Sequence, residues 1–323
     1  MGMESRYIWM DGKLVDFADA TVHFLNVGLH YGLAVFEGIR CYKTDKGPAV
    51  FRLPEHAERL IDSAHVLGMR DLPWTAEDVA QAIVQTIAAN EFEACYIRPV
   101  IWLSEGGWNI NVDGGKPHMG IATWAWGAYL GEAAIDNGIR ANVSSYTRHH
   151  INVMMTKAKI SGNYANSALA KTESVRLGFD EAIMLDPQGY VAECTGENIF
   201  IVRNGQIFTP PSTTILEGVT RDSLIAIARD LGYTVNEQMI GRDQLYIADE
   251  VFVCGSAAEC IALREIDFRT IGSGKMGSVT YRIQQAYQAA IHGRDEKYAA
   301  WLTYVTPSAL PVDWPQAVAA HRD

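Results

Sequence analysis

Strand-like and helix-like segments alternate along this chain, with turn residues at nearly every change between them. Tyr7–Met10 and Lys13–Val15 read as strands joined at Asp11-Gly12, a dipeptide suited to a two-residue hairpin. Val35–Tyr42 and Ala49–Arg52 are two further strands around the turn-rich Lys43–Pro48. Pro54 opens a helix that carries Leu60, Ile61, Ala64 and Leu67 at helical spacing and stops at Gly68. Thr75 caps a second helix, with Glu77 and Asp78 in its first turn and Val79, Ile83 and Ile87 along it. Cys95–Leu103 and Met119–Trp126 are strands flanking the Gly/Asn-rich Ser104–Pro117. Further on, Ile139–Ser145, Glu181–Asp186, Asn198–Arg203, Gln206–Thr209 and Glu250–Cys254 read as strands. Gly162–Leu177, Thr220–Leu231 and Val279–His292 read as helices. The pattern predicts an α+β protein.

The length of 323 residues suits two domains. The interruption around Gly127–Asn137 predicts a smaller N-terminal domain over 1–127 and a connecting loop over 128–137. A larger domain over 138–305 follows, then an extension over 306–323 with three prolines and little periodicity.

Charge narrows the function. Twenty-seven Lys and Arg against 38 Asp and Glu leave a net charge of −11, a surface that repels nucleic-acid phosphates and anionic lipid. Neither nucleic acid nor a membrane is expected as a partner. No apolar run approaches the roughly 20 residues of a membrane helix, and no basic segment leads into an apolar one. A cytoplasmic location is expected. The five cysteines include no CxxC pair and are expected reduced and buried, not as a disulfide or zinc framework.

Two motifs mislead. Gly272-Ser-Gly-Lys-Met-Gly277 matches GxGxxG, but only one helix remains before the tail, too little for a dinucleotide fold. A tight turn ahead of that helix is the better reading. His149-His150 has no ligand-spaced partner and HExxH is absent, so no metal is expected.

A lysine acting as a covalent amine can be sought among only nine. Lys13, Lys43, Lys46, Lys116, Lys275 and Lys297 lie in turns or polar loops, and Lys171 on the exposed face of a helix. Lys157 and Lys159 remain, in an apolar stretch leading into a helix, where an ordinary surface lysine is still the commoner reading.

An ordered set of motifs decides further. His30-Tyr-Gly32, Phe36-Glu-Gly-Ile-Arg-Cys-Tyr42, Glu55-His-Ala-Glu-Arg-Leu60 and Tyr96-Ile-Arg-Pro99 come first. Trp124-Ala-Trp-Gly-Ala-Tyr129, Lys159-Ile-Ser-Gly-Asn-Tyr164, Glu193-Cys-Thr-Gly-Glu-Asn-Ile-Phe200, Gly218-Val-Thr-Arg221 and Gly255-Ser-Ala-Ala-Glu259 follow. Across about residues 5–304 the chain resembles the branched-chain-amino-acid aminotransferases, fold-type IV enzymes that use pyridoxal 5'-phosphate (PLP). The resemblance implies a smaller α/β domain followed by a larger pseudo-barrel domain. It also implies transamination between L-Leu, L-Ile or L-Val and 2-oxoglutarate.

Residue roles carry over with it. Lys159 would hold the cofactor covalently and move the proton between substrate Cα and cofactor. Glu193 would face the pyridine nitrogen and keep it protonated, and Tyr164 would bond the 3′ oxygen. Arg59, the amides of Val219 and Thr220 at a helix start, and Ser256 would hold the phosphate. Phe36, Trp126, Tyr129, Tyr164 and Tyr31 would wall the aliphatic subsite, with Arg40 among the substrate-binding residues and Arg98 meeting the second carboxylate of glutamate. Tyr96, with Ser256 and Ala257, would take the α-carboxylate. Tyr31 and the Asn109–Asn111 loop would come from a neighbouring subunit, implying a homodimer or larger homo-oligomer.

Met155 and Glu217 stand where prolines are common, and Cys260-Ile-Ala-Leu263 and Gly106-Gly-Trp-Asn-Ile-Asn111 depart from the usual patterns. These bear on substrate breadth. The competing readings are a transaminase of D-amino acids or (R)-amines on the same fold, and an inactive binding homologue. Lys159, Glu193, Tyr164 and Arg59 together count against the latter.

Overall fold

A computed structural model describes residues 5–104, 110–127 and 131–306. Tyr129 and Asn109, two positions singled out above, lie outside the described residues, as does the extension from residue 307. The elements are β1 (Tyr7–Met10), β2 (Lys13–Asp16), α1 (Val27–Tyr31), β3 (Ala34–Phe36), β4 (Ile39–Thr44), β5 (Gly47–Phe51), α2 (Leu53–Val66), α3 (Ala76–Ala89), β6 (Cys95–Ser104) and β7 (Lys116–Trp124). Then come α4 (Glu132–Asn137), β8 (Ile139–Val143), α5 (Tyr164–Arg176), β9 (Glu181–Leu185), β10 (Val191–Cys194), β11 (Asn198–Arg203), β12 (Gln206–Thr209), α6 (Val219–Asp230) and β13 (Val235–Glu237). The chain closes with α7 (Arg242–Tyr246), β14 (Glu250–Gly255), β15 (Glu259–Ile266), β16 (Arg269–Thr270), α8 (Ser278–Ile291) and β17 (Leu302–Tyr304).

The protein is α+β, in two compact units. Among the described residues, the first comprises those up to Trp126, the short return Ala158–Gly162 and residues 290–306. Its sheet runs β17-β5-β4-β6-β7-β1-β2, with β3 also on β6. Strand β6 shows why one face is core: Ile97, Ile101 and Leu103 are buried, while Arg98, Val100 and Trp102 alternate with them. Leu53 and Leu60 of α2 and Ile83 and Ile87 of α3 are buried apolar residues of the same unit. Thr75 caps α3 as its sequence predicts, and the structure makes the cap reciprocal: Asp78 N–H donates to Thr75 Oγ1 (3.2 Å) and Thr75 N–H to Asp78 Oδ2 (2.8 Å). The predicted Asp11-Gly12 hairpin turn forms with positive φ at both residues, and Asn204-Gly205 makes a like turn between β11 and β12.

The second unit, Gly127–Lys157 with Asn163–Ala289, holds the sheet β10-β9-β8-β15-β14-β11-β12-β13, with β16 on β15. Strands β8 and β15 pair in parallel, whereas β11, β14 and β15 form an antiparallel run. The GxGxxG match is a turn into α8, as expected. The start of that helix is already capped by a carboxylate, because Glu250 accepts from the backbone N–H of Val279 (3.0 Å) and Thr280 (2.8 Å). Lys171 is a correction: its ammonium is paired with the buried Glu181, not presented on a bare exposed face. All five cysteines are buried and unbridged.

Candidate active site

In the first unit the site begins at a break in a strand. The sequence reads Val35–Tyr42 as one strand, but the ladder stops at Glu37-Gly38 between β3 and β4. Glu37 N–H donates to Pro99 O (3.0 Å), and Pro99 has no N–H to return. The side chain of Glu37 is fully buried and meets Arg59 and His56 of α2. Arg59 grips it as a fork, Nε to Oε1 at 2.6 Å and Nη2 to Oε2 at 2.9 Å, and His56 Nδ1 lies 2.8 Å from Oε2. Burial works to raise the Glu37 carboxyl, but Arg59 and then His56 outweigh it and hold it well below the usual carboxylate range. His56 is itself pushed down by burial against the pull of Glu37, with the charges of Arg59 and Lys159 adding to the fall. Glu37 and His56 were not singled out in the sequence, although both lie inside quoted motifs. A glutamate in a strand reads as a solvent-facing residue until its partner is known.

Residues 158–162 lie along this break. Phe36 N–H donates to Lys159 O (3.1 Å), Lys159 N–H donates to Ser63 Oγ (3.0 Å), and Ile160 forms a bridge with Val35. The Lys159 Nζ stands 4.9 Å from the centre of the Phe36 ring. Lys157 is committed elsewhere: its Nζ donates to the carbonyls of Ser212 and Ile215 and pairs with Glu217 at 2.9 Å.

The same unit groups Phe36, Tyr96, Trp124 and Trp126 around Arg98. The Arg98 guanidinium lies 4.7 Å from the Phe36 ring centre, and its Nη2 donates to Tyr96 Oη (3.0 Å). Tyr96 packs on Trp126 (4.5 Å between ring centres) and Trp124 (5.0 Å), and Arg40 Nη2 donates to Trp126 O (3.3 Å). A Cβ on Gly38 would fall 2.1 Å from Tyr96 Oη, so only glycine admits that phenol. Tyr31 ends α1 and is exposed.

In the second unit Glu193 is buried on β10. Asn198 Nδ2 (3.3 Å) and Leu216 N–H (3.2 Å) both donate to its Oε2. Its Oε1 lies 2.7 Å from Arg148 Nη2, yet no hydrogen bond is aligned on it. Arg148 and Asn198 are further residues the sequence did not single out. Helix α6 starts at Val219 on Gly218, an N-cap with no side chain, so no side chain caps the first N–H groups. A Cβ on Gly218 would lie 2.0 Å from Asn198 Oδ1, which explains the glycine. Ser256 and Ala257 follow β14 directly after Gly255, and Tyr164 is the first residue of α5.

These features fit PLP. A buried carboxylate oxygen without an aligned donor suits the N–H of a pyridinium ring. The uncapped start of α6 suits a phosphate dianion, and a lysine amine beside the Phe36 ring suits covalent attachment.

Residues 34–266 match the family model for amino-transferase class IV. A branched-chain-amino-acid aminotransferase of Pseudomonas aeruginosa is 47% identical over 298 residues, spanning 92% of this chain and 97% of that protein. The crystal structure of the Escherichia coli branched-chain amino acid aminotransferase superposes with a TM-score of 0.91 at 43% identity, covering 94% of this chain and 100% of that one. The branched-chain amino acid aminotransferase of Thermobaculum terrenum, in its PLP-bound holo form, gives 0.88 at 34%, with the same coverage. Family, fold and motif order thus agree, and the chain belongs to the branched-chain-amino-acid aminotransferases of class IV.

Proposed function

We propose that the protein transfers the amino group between L-leucine, L-isoleucine or L-valine and 2-oxoglutarate, with PLP held on Lys159. The observation that carries this reading is one aromatic ring, Phe36, with the Lys159 amine 4.9 Å and the Arg98 guanidinium 4.7 Å from its centre. An amine for the chemistry, an apolar surface for a branched side chain and a cation for a second carboxylate meet there.

Bound PLP supplies the carbonyl that receives the amino group and a ring that withdraws electrons. The chain's own residues do the rest. Lys159 Nζ takes the proton from substrate Cα and returns it on the other side of the transfer. Glu193 holds the ring nitrogen protonated, and Tyr164 donates to the 3′ oxygen. Arg59, the N–H groups of Val219 and Thr220, and Ser256 hold the phosphate. Tyr96 and the amides of Ser256 and Ala257 take the α-carboxylate, while Phe36, Trp126, Tyr129 and Tyr31 exclude water from the aliphatic side chain. Arg40 holds Trp126 in place through its carbonyl.

The proposed assembly is a cytoplasmic homodimer in which Tyr31 serves the neighbouring site. Phe24, Leu25, Leu29 and Tyr31 form an exposed apolar run of the kind a subunit contact covers. No helix among the described residues is long and apolar enough to cross a membrane.

A substrate panel followed through the absorbance of bound cofactor tests the activity. Leucine, isoleucine and valine should each convert the cofactor, and 2-oxoglutarate should restore it. Conversion by D-alanine or an (R)-amine alone would contradict the reading. A sharper expectation concerns Arg98. Arg98→Met should lower the half-reaction with glutamate by about 10–150-fold, the loss of one charge-assisted hydrogen bond of about 1.5–3 kcal/mol. Leucine should lose only a few-fold, through the Arg98–Tyr96 bond. Stopped-flow absorbance separates the two, and equal losses would assign Arg98 to the α-carboxylate or to the fold.

A further inference from the structure

The surroundings of Glu193 contain a charge for which the proposed reaction has no direct use. Arg148 is buried, as is Glu193, and its guanidinium stands 2.7 Å from Glu193 Oε1 without donating an aligned hydrogen bond to it. Arg148 Nε is also buried without a hydrogen-bond partner. A guanidinium stays protonated at every working pH, so this is a fixed positive charge. The other carboxylate oxygen is fastened by two neutral donors, Asn198 Nδ2 and Leu216 N–H. One oxygen is therefore anchored, and the second is electrostatically biased yet still open as an acceptor.

We propose that Arg148 is a positioning residue that keeps Glu193 a carboxylate, and thereby keeps the proton of the Glu193–pyridine pair on the ring nitrogen. The inference rests on the reading that Glu193 faces that nitrogen.

A buried carboxylate facing a pyridinium has an alternative open to it. One proton can pass from nitrogen to oxygen and leave a neutral acid beside a neutral pyridine, and burial favours that neutral pair. No bond between heavy atoms changes in this step. The Arg148 charge opposes it because it is in ion-pair contact with the oxygen that would receive the proton. It thus favours the arrangement in which oxygen keeps its charge and nitrogen keeps its proton. His149, the neighbouring titratable group, adds no competing cation: burial, and then the Arg148 charge, push it down to about 4. The protonated ring is the better electron sink, so Arg148 supports catalysis without touching substrate.

The test uses holoenzyme loaded with PLP labelled with nitrogen-15 in the ring, whose chemical shift separates protonated from unprotonated nitrogen. The wild type should give the protonated signal. R148M and R148Q should move it towards the unprotonated value and lower kcat at least tenfold, with the KM for leucine little changed. R148K, which restores a positive charge, should recover the protonated signal. Either neutral variant suffices if the other yields no holoenzyme. If neither does, R148K carries the test, and a loss of the protonated signal there overturns the proposal. A ring nitrogen as fully protonated in R148M or R148Q as in the wild type would also overturn it, even if melting temperature fell. An unprotonated nitrogen in the wild type would instead overturn the placement of Glu193.

Discussion

Lys159→Ala should abolish transamination while leaving the fold and the cofactor's phosphate seat in place. Positioned proton transfer alone is worth about 10²–10⁴-fold, and covalent capture of the cofactor is lost with it. The Lys159 backbone N–H and C=O hold the segment to Ser63 and Phe36, and both bonds survive truncation of the side chain. The variant should therefore keep its melting temperature within a few degrees and bind PLP only noncovalently, as equilibrium dialysis would show. Lys157→Ala removes the tie to Ser212, Ile215 and Glu217 and should keep most of the activity, because the Lys157 side chain is 43% exposed and such pairs contribute about 0–1 kcal/mol. Activity persisting in Lys159→Ala and vanishing in Lys157→Ala would exchange the two roles.

The second large effect is expected at Glu37, which no substrate need touch. Glu37→Ala strips the shared partner from Arg59 and His56, and removing one member of a buried ion pair costs about 3–5 kcal/mol. Urea unfolding should record a loss of that order, with weaker PLP retention because Arg59 is no longer held. Arg59→Ala is a poor probe of phosphate binding for the same reason: it leaves the Glu37 carboxylate buried without its guanidinium. The pair Glu37→Gln with Arg59→Met removes both charges and should recover part of the stability while cofactor affinity stays low. Acid sensitivity follows in sign. Glu37 is held well below its ordinary value of 4.5, so its contribution is complete above that pH and falls away as pH drops towards the folded value. His56 adds to the same trend. It resists protonation when folded, so below about 6.5 the unfolded chain takes up a proton that the folded chain does not. Wild-type stability should therefore fall on acidification. Glu37→Gln should flatten that dependence between about pH 5 and 3, and an unchanged slope would contradict the role given to the carboxylate.

The sequence disclosed what depends on local chemistry and hid what depends on partners. Thr75, Pro54, Gly68 and the Asp11-Gly12 and Asn204-Gly205 turns act within a few residues of themselves, and each ends or joins an element where its sequence says. Strand β15 escaped notice. Its apolar Cys260–Leu263 run has no period-2 signal because that stretch is buried throughout, and such a run is ambiguous by pattern alone. The break at Glu37-Gly38 is invisible for another reason: it is set by Pro99 on the opposite strand, 62 positions away by the numbering of the two residues. The motif order pointed to Lys159, Glu193, Arg59 and the Gly218–Thr220 helix start as candidates. It did not show which residues steady them. Glu37, His56, Arg148 and Asn198 act through pairs separated by between 5 and 45 positions, as Asn198 with Glu193 and Arg148 with Glu193 illustrate.

The placement of the reactive amine is tested most directly by trapping it. Borohydride reduction of the holoenzyme, followed by proteolysis and mass mapping, should place a single pyridoxyl group on Lys159. The same treatment after leucine has converted the cofactor to its amine form should leave Lys159 unmodified. A pyridoxyl group on Lys157 or any other lysine, or none in the untreated holoenzyme, would contradict the account.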